Sequence, residues 1–470
     1  MKKEATMLSK LKKMWHKLYN SMYHLKKELT TRRIAIFCFC LGIILSFFQI
    51  NTVALQGTQW SGQFSPYTTF QFYLSDIMFS IGILFYGLYV TLNSKRIFFS
   101  IGNNHARFAI AGIFFFALLS YFFSINETIT FFWLIQLFKL LIVYLFVINR
   151  LISEKRLIIL ILSCLVFQVF LGLLQFILQS SVGLSFLGES NIGPEILNVA
   201  KIDIGSLKVI RPYGTFTHAN IFGGLLSIGV LLAGYLRMQE LMPKKKANIL
   251  IGILSLGVLL SFSRAAWLAT IVSLIIFLAF REFKITYSKI RNFTFTFLTF
   301  IFIGYFTGIL NLILVRLKLV GDTSLVERID QIKTSFSMLL AHPMGVGLGN
   351  YTNAVADFSS KKLMPWEFEP VHNMFLLIGT ELGILAAASI IAGLTIGLLH
   401  LFKLLTKIEG KYKCFPIYFA IILITHIFIL ANLDHYFYTN YSAGIFLMVI
   451  LGVMTNYLAN LEESGVSIEK

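Results

Sequence analysis

The chain has 470 residues, 57% of them hydrophobic and only 13% charged, and carries a formal net charge of +18. Soluble domains are about 45–50% apolar and about 25% charged, so this composition excludes a cytosolic or secreted globular protein and, equally, a disordered chain. Eight Pro and four Cys exclude a proline-rich linker or a disulfide scaffold, and long unbroken apolar runs exclude an outer-membrane barrel, which leaves an all-α polytopic membrane protein.

Residues 1–33 hold ten Lys/Arg. Between them Leu8, Leu11, Met14, Trp15, Leu18, Met22 and Leu25 recur at helical spacing. The segment reads as a cytoplasmic amphipathic helix on an anionic inner leaflet, or as an orienting basic tail without fixed structure. It is not a signal peptide, because no small-residue cleavage site follows a short apolar run. Twelve apolar runs near the roughly 20-residue length of a spanning helix then follow, at 34–50, 70–92, 108–124, 129–149, 157–180, 213–236, 247–262, 264–281, 293–313, 372–402, 415–432 and 438–458. Residues 34–458 thus form one transmembrane domain, and 459–470 a cytoplasmic tail.

Every second connection is rich in positive charge: 93–107, 149–156, 237–246, 281–292 and 403–413 carry Lys/Arg, whereas 51–69, 125–128 and 433–437 carry none. That alternation places both termini on the cytoplasmic side of the membrane. It assigns the net charge to orientation and membrane lipid, with no nucleic acid partner. Two connections expected outside, 181–212 and 314–371, are long and hold basic residues. Segment 314–371 is neutral overall, so solvated loop charge accounts for Lys361 and Lys362; an anionic ligand is the alternative for Arg211 and Arg328.

Within 314–371, Ser324-Leu-Val-Glu327 matches a capping box. Val326, Ile329, Ile332, Phe336, Leu339 and Leu340 behind it form one apolar stripe up to His342-Pro343. A helix of about 18 residues is expected there, against the membrane surface or over a cavity. Gly345-Val-Gly347-Leu-Gly349-Asn350-Tyr351 could cradle a phosphate through its N–H groups. No Gly-Lys-Ser/Thr follows, so a plain turn fits the spacing as well. Cys38, Cys40 and Cys164 lie in spans and Cys414 at an inner end, so no disulfide is expected. No CxxC, HExxH or carboxylate cluster offers metal-ligand spacing. Neither a metal nor a cofactor is expected.

The remaining polar residues converge on the expected outer side: Arg211, His218, Asn220, Arg264, Arg328, His372, Asn373, and Asp434 and His435 in the last outer loop. Arginine suits a diphosphate, because its planar fork stays charged and binds oxygens in pairs. A neighbouring His could take a proton from a hydroxyl. Each also has a plainer role, as a snorkelling anchor or an interfacial polar residue. His372 follows Pro370 at the start of a span, where the helix dipole and nearby Arg211 and Arg264 are expected to keep it neutral. Asp434-His-Tyr-Phe-Tyr438 reads as part of an interfacial aromatic belt, with sugar stacking as the alternative. Asp76, Lys139 and Glu381 lie inside spans, where a charge is costly.

Arg211-Pro-Tyr-Gly-Thr-Phe-Thr-His-Ala-Asn220, Gly223-Gly224, Ser261-Phe-Ser-Arg264, Glu327-Arg328, His342-Pro-Met-Gly-Val-Gly347, His372-Asn373 and Glu381-Leu-Gly383 come in that order. In order and spacing they resemble the O-antigen ligase and polymerase superfamily over roughly 211–385. The resemblance implies a metal-independent, inverting glycosyltransferase at the outer face of the cytoplasmic membrane. Its donor is a glycan on undecaprenyl diphosphate, and its acceptor a glycan or lipid A core. Arg211 and Arg264 would hold the diphosphate and His372 would be the general base. Arg328, His218, Asn220, Asn373 and Glu381 would bind substrate or support the site. The shared motifs do not separate a ligase from a polymerase.

A multi-span transporter or flippase of lipid-linked oligosaccharide is the rival reading. Transporters place their polar site near the midplane, at broken helices in repeated halves. Here no second copy of the RPYGTFTHAN or HNMFLLIGTELG segment occurs, and the polar cluster sits at span ends.

Overall fold

A computed structural model describes residues 30–60, 63–92, 100–102, 104–204, 207–280, 307–317, 323–407 and 411–463. The basic segment 1–29, most of the expected ninth span, the Ser324 side chain of the expected capping box, the Cys414 side chain and the end of the tail lie outside the described residues.

The chain is predominantly helical. In order the helices are α1 (30–46), α2 (Leu74–Leu92), α3 (Asn104–Tyr121), α4 (Glu127–Ile148), α5 (Glu154–Leu178), α6 (Ala219–Met238), α7 (Lys244–Leu260), α8 (Arg264–Phe280) and α9 (Ile309–Leu317). There follow α10 (Thr323–Ala341), α11 (Tyr351–Phe358), α12 (Met374–Leu382), α13 (Ile384–Lys407), α14 (Lys411–Leu433), α15 (Tyr436–Thr439) and α16 (Tyr441–Glu463). Among the described residues seven helices are long and apolar enough to cross a membrane: α2, α4, α5, α6 and most of α13, α14 and α16. Two shorter apolar helices, Ala106–Tyr121 and Arg264–Phe280, fall below that length. The apolar runs thus give twelve candidate spans, and the seven such helices among the described residues support an integral membrane protein.

Several expected spans depart locally from helix, two of them beside polar contacts. Residues 70–73 are not helical: β2 (Phe70–Tyr73) pairs antiparallel with β1 (Asn51–Leu55), Asn51 opposite Tyr73. Asp76 in the first turn of α2 accepts the Tyr73 N–H at 3.0 Å, which fixes the strand-to-helix corner. The expected span 372–402 is broken at Gly383, whose φ of 95° only glycine adopts readily. The break lets the Pro343–Gly349 turn cap α12: the Val346 and Gly347 N–H groups bond the Thr380 and Glu381 carbonyls at 2.9 and 3.0 Å. Those carbonyls would otherwise be orphans at a buried helix end.

Helix α6 is the hub, packed by α5, α7, α8, α14 and α16. Lipid offers no hydrophobic drive between helices, so close packing and polar contacts hold such bundles together. Gly223 of α6 lies against Ser261 and Ser263, and Gly224 against Tyr436. His426 of α14 bridges Ser227 of α6 and Ser273 of α8 at 2.8 and 2.9 Å. The costly charges in α2 and α4 neutralise each other: Lys139 Nζ lies 2.7 Å from Asp76, which also accepts the Tyr441 hydroxyl at 2.6 Å.

Helix α10 forms where expected, with its polarity turned outward. Val326, Ile329, Phe336 and Leu340 are 53–84% exposed, whereas Thr334, Ser335 and Met338 are buried. The apolar stripe therefore faces away from the protein, as a helix lying on a lipid surface requires.

Candidate functional site

The helices α6, α8 and α12 begin, and α14 ends, around one cluster of polar side chains. Its first part is the segment 211–218, of which 213–218 were expected to open a span and instead form turns and bends before α6. Two glutamines of α5 hold its backbone. Gln175 accepts the Tyr213 and Gly214 N–H groups at 3.0 and 2.8 Å, and Gln168 accepts that of Thr215 at 2.8 Å. Gly214 has φ 63°, and a side chain there would collide with Gln168. The segment ends where His218 caps α6, its Nδ1 accepting the Asn220 N–H at 3.1 Å.

From this segment a continuous run of contacts crosses the site. Arg211 is buried; its Nε donates to the Ser261 carbonyl at 2.8 Å and an Nη to Asn220 Oδ1 at 2.7 Å. Asn220 Nδ2 donates to Asp434 at 2.9 Å. The other Asp434 oxygen lies 3.4 Å from His372 Nδ1. His372 Nε2 lies 3.3 Å from Glu369, which accepts from Gln331 of α10 at 2.9 Å. Six side chains from four parts of the chain are thereby in register.

The electrostatics have two halves. Burial lowers the Arg211 pKa to about 9, helped by Arg316, Arg264 and Arg328, so four guanidiniums share one region. Arg211 still stays charged at neutral pH. Arg328 donates to the Leu433 carbonyl at the end of α14, at 3.1 Å. The other half is acidic and imidazole-rich. Burial opposes charge on His372, but Asp434 and Glu369, one at each ring nitrogen, outweigh it and raise its pKa to about 9. His372 is therefore an imidazolium at neutral pH, against the expectation of a neutral ring. The carboxylates are in contact, whereas Arg211 is two side chains away. Asp434 is held well below the usual carboxylate range: His372, His435 and Arg328 outweigh its burial. His218 and His435 are pushed down by burial, to about 3 and about 4, and stay neutral.

Not every expected residue joins this run. The Asn373 Oδ1 caps α12 at Leu376 N, 2.9 Å away. Both Glu381 oxygens are taken by protein donors: the Gly349 and Tyr351 N–H groups at 2.8 and 3.1 Å and the Tyr438 hydroxyl at 2.7 Å. The glycine turn thus spends its N–H groups on α12, and a side chain at Gly349 would collide with Trp133. Arg264, half-buried at the start of α8, belongs to the arginine half. Lys361 pairs with Glu367 at 2.6 Å on the surface, in keeping with solvated loop charge.

Sequence reasoning missed Glu369 and Arg316, and gave Asp434 and His435 no chemical role. Asp434 and His435 had been assigned to an aromatic belt; the one available signal was two ionisable groups in an otherwise apolar stretch. Folding also assembles a candidate ligand group that no spacing in the sequence offers. Ligand atoms of His372, Asp434 and His435 lie within 4.8 Å of one another. They come from positions 62 residues apart, a distance no ligand-spacing pattern covers. A cation there would compete with the His372 proton and with the donors already on Asp434, Asn220 Nδ2 and the His435 N–H at 2.8 Å.

Residues 249–391 match the family model described as O-antigen ligase. The match bears out the resemblance to the O-antigen ligase and polymerase superfamily. It covers Arg264, Arg328, Glu369 and His372, begins after Arg211 and ends before Asp434. No curated protein matches the chain.

Proposed function

We propose that this chain, an integral membrane protein with an O-antigen ligase segment, transfers a glycan from undecaprenyl diphosphate to a sugar hydroxyl at the outer face of the bacterial cytoplasmic membrane. The observation that carries this is the run of contacts from the arginine group through Asp434 to His372 and Glu369. It puts a cationic surface beside a proton-transfer group.

In this reading Arg211, Arg264 and Arg328 bind the diphosphate and stabilise charge on the leaving group. Arg211 also fixes Asn220, and through it Asp434. The acceptor hydroxyl attacks the anomeric carbon from the side opposite the diphosphate. The carbon–oxygen bond to the phosphate breaks with inversion, and the hydroxyl proton passes to His372. Asp434 orients that ring. Its raised proton affinity makes neutral His372 a strong base and a scarce one at pH 7. No metal is assigned a role. One observation favours a second assignment: the Glu369 side chain is 33% exposed, the most open member of the triad. With His372 held as a cation, Glu369 would then take the proton.

The test is transfer in vitro: purified protein, a lipid-linked glycan donor and either a second donor molecule or lipid A core as acceptor. Chain growth on undecaprenyl diphosphate identifies a polymerase, and transfer to the core a ligase. Net movement of donor across a proteoliposome membrane without any new glycosidic bond would favour the flippase instead.

A further inference from the structure

We propose that the cleft between the first outer hairpin, α4 and the α15–α16 corner is a subsite for a neutral sugar ring of the acceptor glycan. This rests on the transferase reading. The cleft is half-open and about 70 Å³ in volume, lined among others by Tyr67, Gln71, Trp133, Gln136, Tyr438 and Asn440. At roughly 10–15 Å³ per water, it has room for about five waters, close to the bulk of one pyranose ring.

Its chemistry is that of carbohydrate recognition. No Asp, Glu, Lys or Arg lines it. Planar amides and hydroxyls alternate with aromatic rings, and Trp133 and Tyr438 stack with centroids 5.9 Å apart and planes 17° apart. Such rings cover the apolar face of a sugar, while amides meet its hydroxyls. Gln136 supplies a second observation. Its Nε2 reaches the Gln71 carbonyl at 3.5 Å, but its Oε1 is buried without a partner. A buried acceptor left unpaired is unfavourable, and a sugar hydroxyl in the cleft would pair it. A polar residue this far along a spanning helix also points to function.

Position sets the role. The Tyr67 ring packs edge-on to His435 at 5.9 Å, and Thr439, which lines the cleft, lies 2.7 Å from His435 Nδ1. His435 in turn lies 5.2 Å from His372, ring to ring. The histidines therefore lie between a cleft lined by uncharged polar and aromatic side chains and the side with four arginines. A diphosphate suits the arginines; an acceptor without formal charge suits the cleft.

The probe is the oligosaccharide freed from the cell's own surface polysaccharide, offered to full-length protein in nanodiscs. Gln136→Leu conserves volume and deletes no protein contact of Oε1. It should raise the acceptor KM about fivefold, the worth of one hydrogen bond, with kcat and donor KM within twofold. Saturation-transfer NMR without donor should show the oligosaccharide bound to wild type and bound about fivefold more weakly by Gln136→Leu; Trp133→Phe, which keeps a ring but loses the indole N–H, should weaken it less. If wild type transfers glycan but acceptor KM and binding are unchanged in Gln136→Leu, the subsite is wrong and the transferase stands. A rise in donor KM alone would likewise overturn it. If wild type binds the oligosaccharide through Gln136 but forms no glycosidic bond, the cleft is a sugar site and the transferase reading fails.

Discussion

If neutral His372 accepts the hydroxyl proton, transfer must follow its deprotonation. Asp434 and Glu369 hold its pKa at about 9 against an ordinary 6.5. At pH 7.5 only about one ring in thirty is then neutral. The rate should climb about tenfold per pH unit between 6 and 8 and level off near 9. Asp434→Asn keeps the shape and removes one charge 3.4 Å from Nδ1. A single opposite charge at such range moves a pKa by about 1–3 units, so the plateau should begin one or more units lower. Stability carries the same signature. A rise from 6.5 to about 9 corresponds to on the order of 3 kcal/mol. Because the folded-state value lies above the unfolded one, that stabilisation is complete below about pH 6.5 and is lost as pH rises through about 9. The assay is single-turnover transfer by purified protein from pH 5.5 to 10, with thermal unfolding measured alongside. A wild-type profile flat to pH 8 and falling through 9 would refute the assignment: the imidazolium would be the working form and Glu369 the proton acceptor.

Arg211→Lys and Arg264→Lys should each lower turnover by on the order of 10²–10³, since a point charge cannot reproduce paired contacts; full activity in both, with normal membrane insertion, would remove the diphosphate assignment. Arg211→Lys should also lower the unfolding temperature, because it gives up the buried bonds to Ser261 and Asn220. Activity should survive EDTA, whereas a strict need for added Zn²⁺ or Mn²⁺ would assign the His372–Asp434–His435 cluster to a metal. In intact cells an impermeant thiol reagent should label Ser359→Cys and spare Ser464→Cys; the opposite pattern would invert the orientation. Gly349→Ala, at φ 79° and against Trp133, should destabilise the turn by on the order of 2 kcal/mol, read as a drop in unfolding temperature.

Charges stand out in an apolar chain, and that is why much of the site was legible. Arg211, His218, Asn220, Arg264, Arg328 and His372 could be picked out because lipid tolerates such groups only at span ends or with partners. What the pattern cannot give is the partner. Asp434 lies in a Tyr- and Phe-rich corner, the composition of an interfacial belt, and its link to His372 exists only once α12 and α14 pack side by side. The charge on His372 was misjudged for the same reason: dipole and arginines are visible along the chain, contact carboxylates are not. Fold legibility had a parallel limit. Hydropathy located the apolar runs, but a run does not record a break such as Gly383, where the residues stay apolar and only the backbone turns. Nor does it record that Phe70–Tyr73 pairs as a strand before the helix starts. The break at Gly383 and the corner at Tyr73 both lie beside the site, because a backbone that leaves the helix there frees groups to bond across the bundle. Gly383 lets the glycine turn engage α12, and that turn delivers Gly349 to Trp133 and Tyr351 to Glu381. The irregularities that hydropathy misses are thus the joints through which α4, α12 and the α15–α16 corner meet, at Trp133, Glu381 and Tyr438.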